Sequence, residues 1–317
     1  MRIVVTGGAG FIGSHLCDRL IKDGGEVICV DNLLTGSKDN IKNLLKNKAF
    51  SFIEQDVTKP FDVEGKIDQV YHLASPASPN HHSRLSYHAL PMETMMVNTE
   101  GTHLMLKMSL KNKAKFLFTS TSEVYGDPLV HPQTEDYRGN VSTTGPRSIY
   151  DESKRFGETL TAFYLRTHNL DVRIARIFNT FGPRMAKSDL RMIISFITQA
   201  LTGKPITVFG DGTQTRSLAY VDDTVDGLIK LMNSGKAKGQ IINIGSPYEH
   251  SVLEYAKIVK AVTNSSSEIT FNEKLPQDDP QKRRPDISKA KALIDWEPKI
   301  TFDNGLAKTI DYYKNTL

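Results

Sequence analysis

Tyr150 and Lys154 are the residues of this 317-residue chain whose types and spacing most directly imply chemistry. Four apart in a stretch with helical periodicity, they share one face. A lysine cation beside a phenol favours the phenolate and lowers its pKa. A tyrosinate poised nearer neutrality can take a proton from a hydroxyl while hydride leaves for a nicotinamide. The pattern YxxxK is equally what a packed tyrosine beside a solvated lysine produces, so its weight comes from its company. That company includes "FTSTSEVYG" (118–126), where an apolar run ends on hydroxyls, Thr121 and Ser122 among them, and then places one carboxylate, Glu123.

The second group is "TGGAGFIG" (6–13), with Gly7, Gly10 and Gly13 three apart between an apolar run and a helical pattern. Glycines are needed where backbone turns tightly, approaches a pyrophosphate, and lets helix pack on strand. The free N–H groups of the following helix then face the phosphates. Asp31 ends the next apolar run 18 residues after Gly13. A carboxylate there accepts hydrogen bonds from an adenosine ribose and repels a 2′-phosphate, so NAD is expected rather than NADP. Asp56 is placed either to receive the adenine amino group or to cap the next turn. Phe11, Ile12, Asn32, Thr35, Gly36, Val57, Leu73, Ala74 and Ser75 flank these positions and complete the expected cofactor set, together with Tyr150 and Lys154.

The elements that must position these groups alternate through the first half. Strands are expected at 2–6, 26–31, 50–56, 69–74, 114–120 and 171–178, and helices at 11–24, 92–112 and 150–168. Continuous apolar strands separated by helices predict a doubly wound α/β domain with a parallel Rossmann sheet. After residue 178 the rhythm breaks. A helix near 188–202, a strand pair over 206–221, a last strand at 241–245 and two closing helices predict a smaller, interleaved C-terminal α/β unit. The expected division is 1–178 plus about 218–246 for the nucleotide-binding domain, and about 179–217 with 247–317 for the sugar-nucleotide-binding domain.

Composition is that of an ordinary globular enzyme, 39% apolar and 24% charged, and a net charge of +4 is too small to argue for nucleic acid. No apolar run approaches the ~20 residues of a membrane span, and the first strand begins at residue 2 with no signal peptide before it. A cytoplasmic protein is expected, with Cys17 and Cys29 as free core thiols.

"TGGAGFIG", "YDESK" (150–154) and the hydroxyl-rich strand end resemble the extended short-chain dehydrogenase/reductases that act on nucleotide sugars. Within them, "HLASPASP" (72–79), "STSEVYGDP" (120–128), "GPRSIYDESKR" (145–155), "RIFNTFGPRM" (176–185), "TQTRSLAYVDD" (213–223) and "QDDPQKRRPD" (277–286) resemble the UDP-glucuronate decarboxylases. The resemblance implies tightly held NAD, a helix-mediated homodimer, and conversion of UDP-glucuronate to UDP-xylose. It implies that Thr121 bonds the sugar O4, that Tyr150 is the base with Lys154 as partner, and that Glu123 and Arg283 flank C5 and its carboxylate. It places Asn179, Arg191 and Arg216 on the nucleotide diphosphate, with Ser122 beside the sugar. Chemically, Glu123 is read as orienting a water or relaying a proton, and Arg283 as a carboxylate clamp. Without the resemblance, "KRR" (282–284) reads as a solvated basic patch.

Two stretches depart from that pattern. Eleven residues, "NHHSRLSYHAL", separate "SPASP" from Pro91, where fewer are expected. His81, His82 and His88 within it read as a polar loop, and no metal site is expected. "NVSTTGPRS" (140–148) lacks the expected Asn-Pro. A 4,6-dehydratase is disfavoured because Ser122 stands where that chemistry needs an acid. A 4-epimerase remains the nearer alternative, and a non-catalytic NAD-binding regulator the more distant one.

Overall fold

The structure is a computed structural model and describes residues 1–316. Its centre is a seven-stranded, all-parallel sheet. In chain order the strands are β1 (Arg2–Thr6), β2 (Glu26–Asp31), β3 (Phe50–Glu54), β4 (Gln69–His72), β5 (Lys115–Thr121), β6 (Val172–Ile177) and β7 (Ile241–Ile244). Across the sheet they run β7-β6-β5-β4-β1-β2-β3, with every pairing parallel. The order reverses between β1 and β4, and ligands bind such sheets at that crevice, outside the strands' carboxyl ends.

Alternation along the strands builds two cores. Ile3 and Val5 of β1 and Leu117 of β5 join one cluster with Leu16, Cys17 and Leu20 of helix α1 (Phe11–Lys22). Val4 of β1 with Phe116 and Phe118 of β5 join the other, against Met105 and Leu106. Both faces are therefore buried, which is why these strands read as continuous apolar runs.

The single helix expected over 92–112 is three segments: Pro91–Met96, a π-helical turn Val97–Gly101, and Thr102–Asn112. Asn98 on that turn is buried and donates to Ser153 Oγ at 3.0 Å, tying it to the long helix Ser148–His168. The expected strand pair over 206–221 is also corrected. Ile206–Phe209 pairs in parallel with Ile269–Glu273. Thr215–Ser217 pairs instead with Glu249–Ser251 and with Lys282–Arg283. Glycines at 210 and 212, both with positive φ, turn the chain between them so that no hairpin forms. The closing helices, Ser288–Ile294 and Phe302–Lys314, are fastened by Asp223, whose carboxylate accepts from Lys299 N–H at 3.0 Å and Ile300 N–H at 2.9 Å.

Candidate active site

A cavity of about 980 Å³ opens at the carboxyl ends of the sheet strands. Of the residues expected from the sequence, Gly7, Gly10, Phe11, Ile12, Gly13, Asp31, Asn32, Thr35, Asp56, Val57, Leu73, Ala74 and Ser75 line one end. Thr121, Ser122, Glu123, Tyr150, Lys154, Asn179, Arg191 and Arg216 line the rest. Gly36 and Arg283 do not line it.

The glycine end is built from backbone in contact with backbone. A Cβ on Gly13 would sit 2.1 Å from Gly7 O, and one on Gly7, at φ +69°, would sit 2.7 Å from Ala74 N. Asp31 is buried and accepts from Ala9 N–H at 3.0 Å and Leu33 N–H at 2.8 Å. Burial raises its pKa, and those two donors oppose the rise. Gly36 packs against that carboxylate: a Cβ there would lie 3.0 Å from both oxygens. Asp56 caps the next turn, accepting from Thr58 N–H at 2.9 Å and the Thr58 hydroxyl at 2.8 Å. Close-packed glycines at a helix start, with a carboxylate at the second strand's end, fit a dinucleotide.

At the chemical end, Tyr150 and Lys154 share a helix face as expected. The expected lowering of the phenol's pKa is not found. Burial raises it above the ordinary tyrosine value, opposed by the Arg191 cation and the Thr121 hydroxyl. Lys154 contributes little because burial lowers its own pKa to about 7 and its ammonium donates to Thr119 O at 2.8 Å. That ammonium lies 5.7 Å from the centre of the Tyr150 ring.

Thr121 ends β5 and caps the following turn, its hydroxyl accepting from Glu123 N–H at 3.2 Å. Gly126, at φ +62°, closes that turn where a Cβ would collide with Asn140 O. The geometry fixes Glu123 against two arginines. Arg147 Nη2 makes a short bond to Glu123 Oε2, and Arg283 Nη2 reaches the same oxygen at 3.3 Å. Burial pushes the Glu123 pKa up, but the Arg147 and Arg283 charges outweigh it and hold the carboxyl at about 2. Arg283 is buried behind the cavity wall, donating to the carbonyls of Ser122 and Gly126.

Arg147 and Asp279 carry no expectation from the sequence, yet they complete this network. Asp279 accepts from Arg147 at 3.4 Å and from Arg216 at 2.7 Å. The available signal for Arg147 was its place three residues ahead of Tyr150. Asp151 is a further unexpected member: buried beside Glu123, it has its pKa raised to about 8.

The longer loop before Pro91 folds over the sugar end. Ser78 Oγ donates to Asp189 O at 2.7 Å, Asn80 Nδ2 to Leu190 O at 2.8 Å, and Ser83 Oγ to Ser188 O at 2.6 Å. His81 and His82 pack together with ring centroids 4.0 Å apart, and His88 packs on Tyr87. Cys17 and Cys29 are free and buried. Among the described residues no helix is long and apolar enough to cross a membrane.

The family model described as GDP-mannose 4,6 dehydratase matches residues 4–309. UDP-glucuronic acid decarboxylase 1 of Xenopus tropicalis is 49% identical over 316 residues, covering 100% of this chain and 73% of the relative. The Arabidopsis thaliana protein of the same name is 50% identical over 317 residues, covering 100% and 71%. The UDP-glucuronic acid 4-epimerase of Bacillus cereus, solved with UDP-glucuronic acid and NAD, superposes with a TM-score of 0.86 at 31% identity, over 100% of both chains. The UDP-glucose 4-epimerase of Thermotoga maritima, solved with UDP-glucose, gives 0.88 at 31% identity over 100% and 99%. At about half identity across its whole length to one group and under a third to the other, the chain belongs to the UDP-glucuronic acid decarboxylases of the extended short-chain dehydrogenase/reductase family.

Proposed function

We propose that the protein converts UDP-glucuronate to UDP-xylose and CO2 using bound NAD. The observation that carries this reading is Glu123, the acid of the β5 strand end, held ionised by Arg147 and Arg283 with Ser122 beside it. The glycine turn and Asp31 would hold NAD, which when bound would supply a hydride acceptor for C4 and positive charge near Tyr150.

Thr121 orients the O4 hydroxyl, and Tyr150 takes its proton as C4 is oxidised. The pull of Arg191 on the phenol helps offset the burial that raises its pKa. The product is a β-keto acid, which loses CO2 because the bonding electrons flow into the C4 ketone. Thr121 and Tyr150 stabilise the enolate oxygen. Glu123, fixed in place and ionised, orients groups at C5 rather than donating its own proton. Arg283 acts by holding Glu123 and the turn beneath it, and the clamping of the substrate passes to cations that face the cavity. Of these, Arg191 and Arg216, with Asn179, hold the diphosphate.

The residues of β1–β7 supply the nucleotide domain, and the smaller sheets after residue 178 supply the sugar-nucleotide domain. The division falls at about 178, 218 and 246. Met92, Met96, Phe156 and Phe163 are exposed on the adjoining helices Pro91–Met96 and Ser148–His168, an apolar face that suits a homodimer. With two free thiols and no bilayer-length helix among the described residues, we place the protein in the cytoplasm.

The test is direct. Purified protein with UDP-glucuronate and NAD is expected to release CO2 and UDP-xylose, identified by mass and NMR. UDP-galacturonate with no change of mass would establish the 4-epimerase instead.

A further inference from the structure

Tyr87 is fully buried, lines the cavity, and has no task in the chemistry above. Its ring stacks face to face on Tyr150, with centroids 5.1 Å apart and planes 7° from parallel. Its hydroxyl has no hydrogen-bond partner among the described residues. A buried phenol normally finds one, so an unpartnered hydroxyl on a residue that lines the cavity marks a position open to a ligand. The ring is firmly held. Tyr87 N–H donates to Ser78 O at 3.2 Å, His88 packs at 4.4 Å, and Ser78 is itself tied to Asp189. The charged and titratable groups facing it are Arg147, Glu123, Asp151, Tyr150 and His88.

Decarboxylation needs one proton that Tyr150 cannot supply. Tyr150 takes the O4 proton and must return it to O4 when hydride comes back. The carbon–carbon bond to CO2 breaks, leaving its electron pair in the enolate of C5, C4 and O4. A new C5–H bond then needs an acid. Glu123, held at about 2, carries no proton at neutral pH. Lys154 is bonded to Thr119 O, and Asp151, which keeps a proton at neutral pH, does not line the cavity. Two neighbouring phenols match two neighbouring carbons.

We infer that Tyr87 is the acid that protonates C5. Its O–H bond breaks as the enolate pair forms the C5–H bond and C4 becomes a ketone again. Burial disfavours the phenolate left behind and the Arg147 cation opposes that, so the phenol takes its proton back from water when product leaves. One solvent proton is consumed per CO2 released, which balances the reaction. The inference rests on the decarboxylase reading.

Tyr87→Phe keeps the ring and its stack, so it isolates the hydroxyl. The experiment is a single turnover of carboxyl-labelled UDP-glucuronate in heavy water, following labelled CO2, reduced cofactor and product. CO2 release is expected to stay within about twofold of wild type while UDP-xylose formation slows ~100-fold or more, within the range for loss of a general acid. The enolate should build up with the cofactor still reduced. The deuterium at C5, on one prochiral position in the wild type, should spread over both. Unchanged UDP-xylose formation with single-position label would overturn the inference. So would CO2 and UDP-xylose falling together, or a rise in KM alone. If the wild type itself releases no CO2, the decarboxylase reading falls and this inference with it. If the wild type releases CO2 and Tyr87→Phe behaves identically, Tyr87 alone loses its role.

Discussion

The two ends of the cavity are made of different material. The nucleotide end is backbone: glycines pressed on carbonyls, and a carboxylate held by two N–H groups, all from β1, β2 and the turns that follow them. The chemical end is side chains from separated stretches, 78–90, 121–126, 147–154, 215–217 and 279–283, the last four joined by an ion-pair chain from Arg283 through Glu123, Arg147 and Asp279 to Arg216. Backbone shape is local and cannot be altered gradually. A side-chain network can exchange members without losing the fold. Changes at the first end should therefore act on cofactor affinity, and changes at the second on rate and on pH dependence.

The largest expected effect is at the chemical end. Tyr150→Phe should lower turnover ~10³-fold or more, within the range for removing a general base, while the purified protein still holds cofactor. Initial rates with the ratio of bound cofactor to protein measure both halves. Near-normal turnover would remove Tyr150 as base, and loss of cofactor would show that the two ends are not separable.

Arg147→Ala comes next. It leaves Glu123 with Arg283 alone at 3.3 Å and strips one partner from Asp279. Removing one member of a buried pair costs about 3 kcal/mol or more, so thermal melting should fall by several degrees. The Glu123 carboxyl should also rise from about 2, because the largest of its cationic influences is gone. The acid limb of the rate profile should then move to higher pH. An unmoved limb would mean that Glu123 does not govern it.

Gly13→Ala tests the other end. Its Cβ has no space beside Gly7 O, and neither atom is the tip of a flexible side chain. Cofactor affinity should drop by about tenfold or more, equivalent to at least ~1.4 kcal/mol, while turnover at saturating cofactor stays close to wild type. Titration of cofactor fluorescence checks the first and rates at saturation the second.

The same contrast explains what could be read beforehand. "TGGAGFIG" and Asp31 were legible because one short stretch holds all the constraints, and β1–β6 because strands buried on both faces leave continuous apolar runs. Tyr150 and Lys154 were legible as a pair by helical spacing, but the direction of the phenol's pKa was not. That depends on burial and on Lys154 bonding to Thr119 O, neither of which is written in the spacing. Arg283, expected as a carboxylate clamp, is buried against Glu123 and the carbonyls of Ser122 and Gly126. From "PQKRRPD" nothing says that its guanidinium ends beneath Glu123 rather than in the cavity. The π-helical turn at Val97–Gly101 was hidden for the same reason, since the tie from Asn98 to Ser153 crosses between helices.

The smallest predicted effect compares one carboxylate from each end. Asp31 and Asp151 are both buried, and burial raises both pKa values. Asp31 has two backbone N–H donors in compensation. Asp151 has Oδ1 unpartnered among the described residues and Glu123 as a like-charged neighbour, which together with burial outweigh Arg147 and Arg283 and lift it to about 8. An unfolded aspartate titrates near 3.8, so between that value and about 8 the folded state binds the extra proton. Stability contributed by the protonated form is complete below the unfolded value and is lost as pH rises through the folded one. Asp151→Asn cannot ionise and escapes that loss. Its melting temperature relative to wild type should climb by a few degrees between about pH 5 and pH 9, whereas Asp31→Asn, which keeps one acceptor oxygen and sets an NH2 against the other N–H, should melt lower than wild type throughout. Parallel melting curves for Asp151→Asn and wild type across that range would show that Asp151 is already ionised and paired. The chemical end would then hold its charges as comfortably as the nucleotide end does.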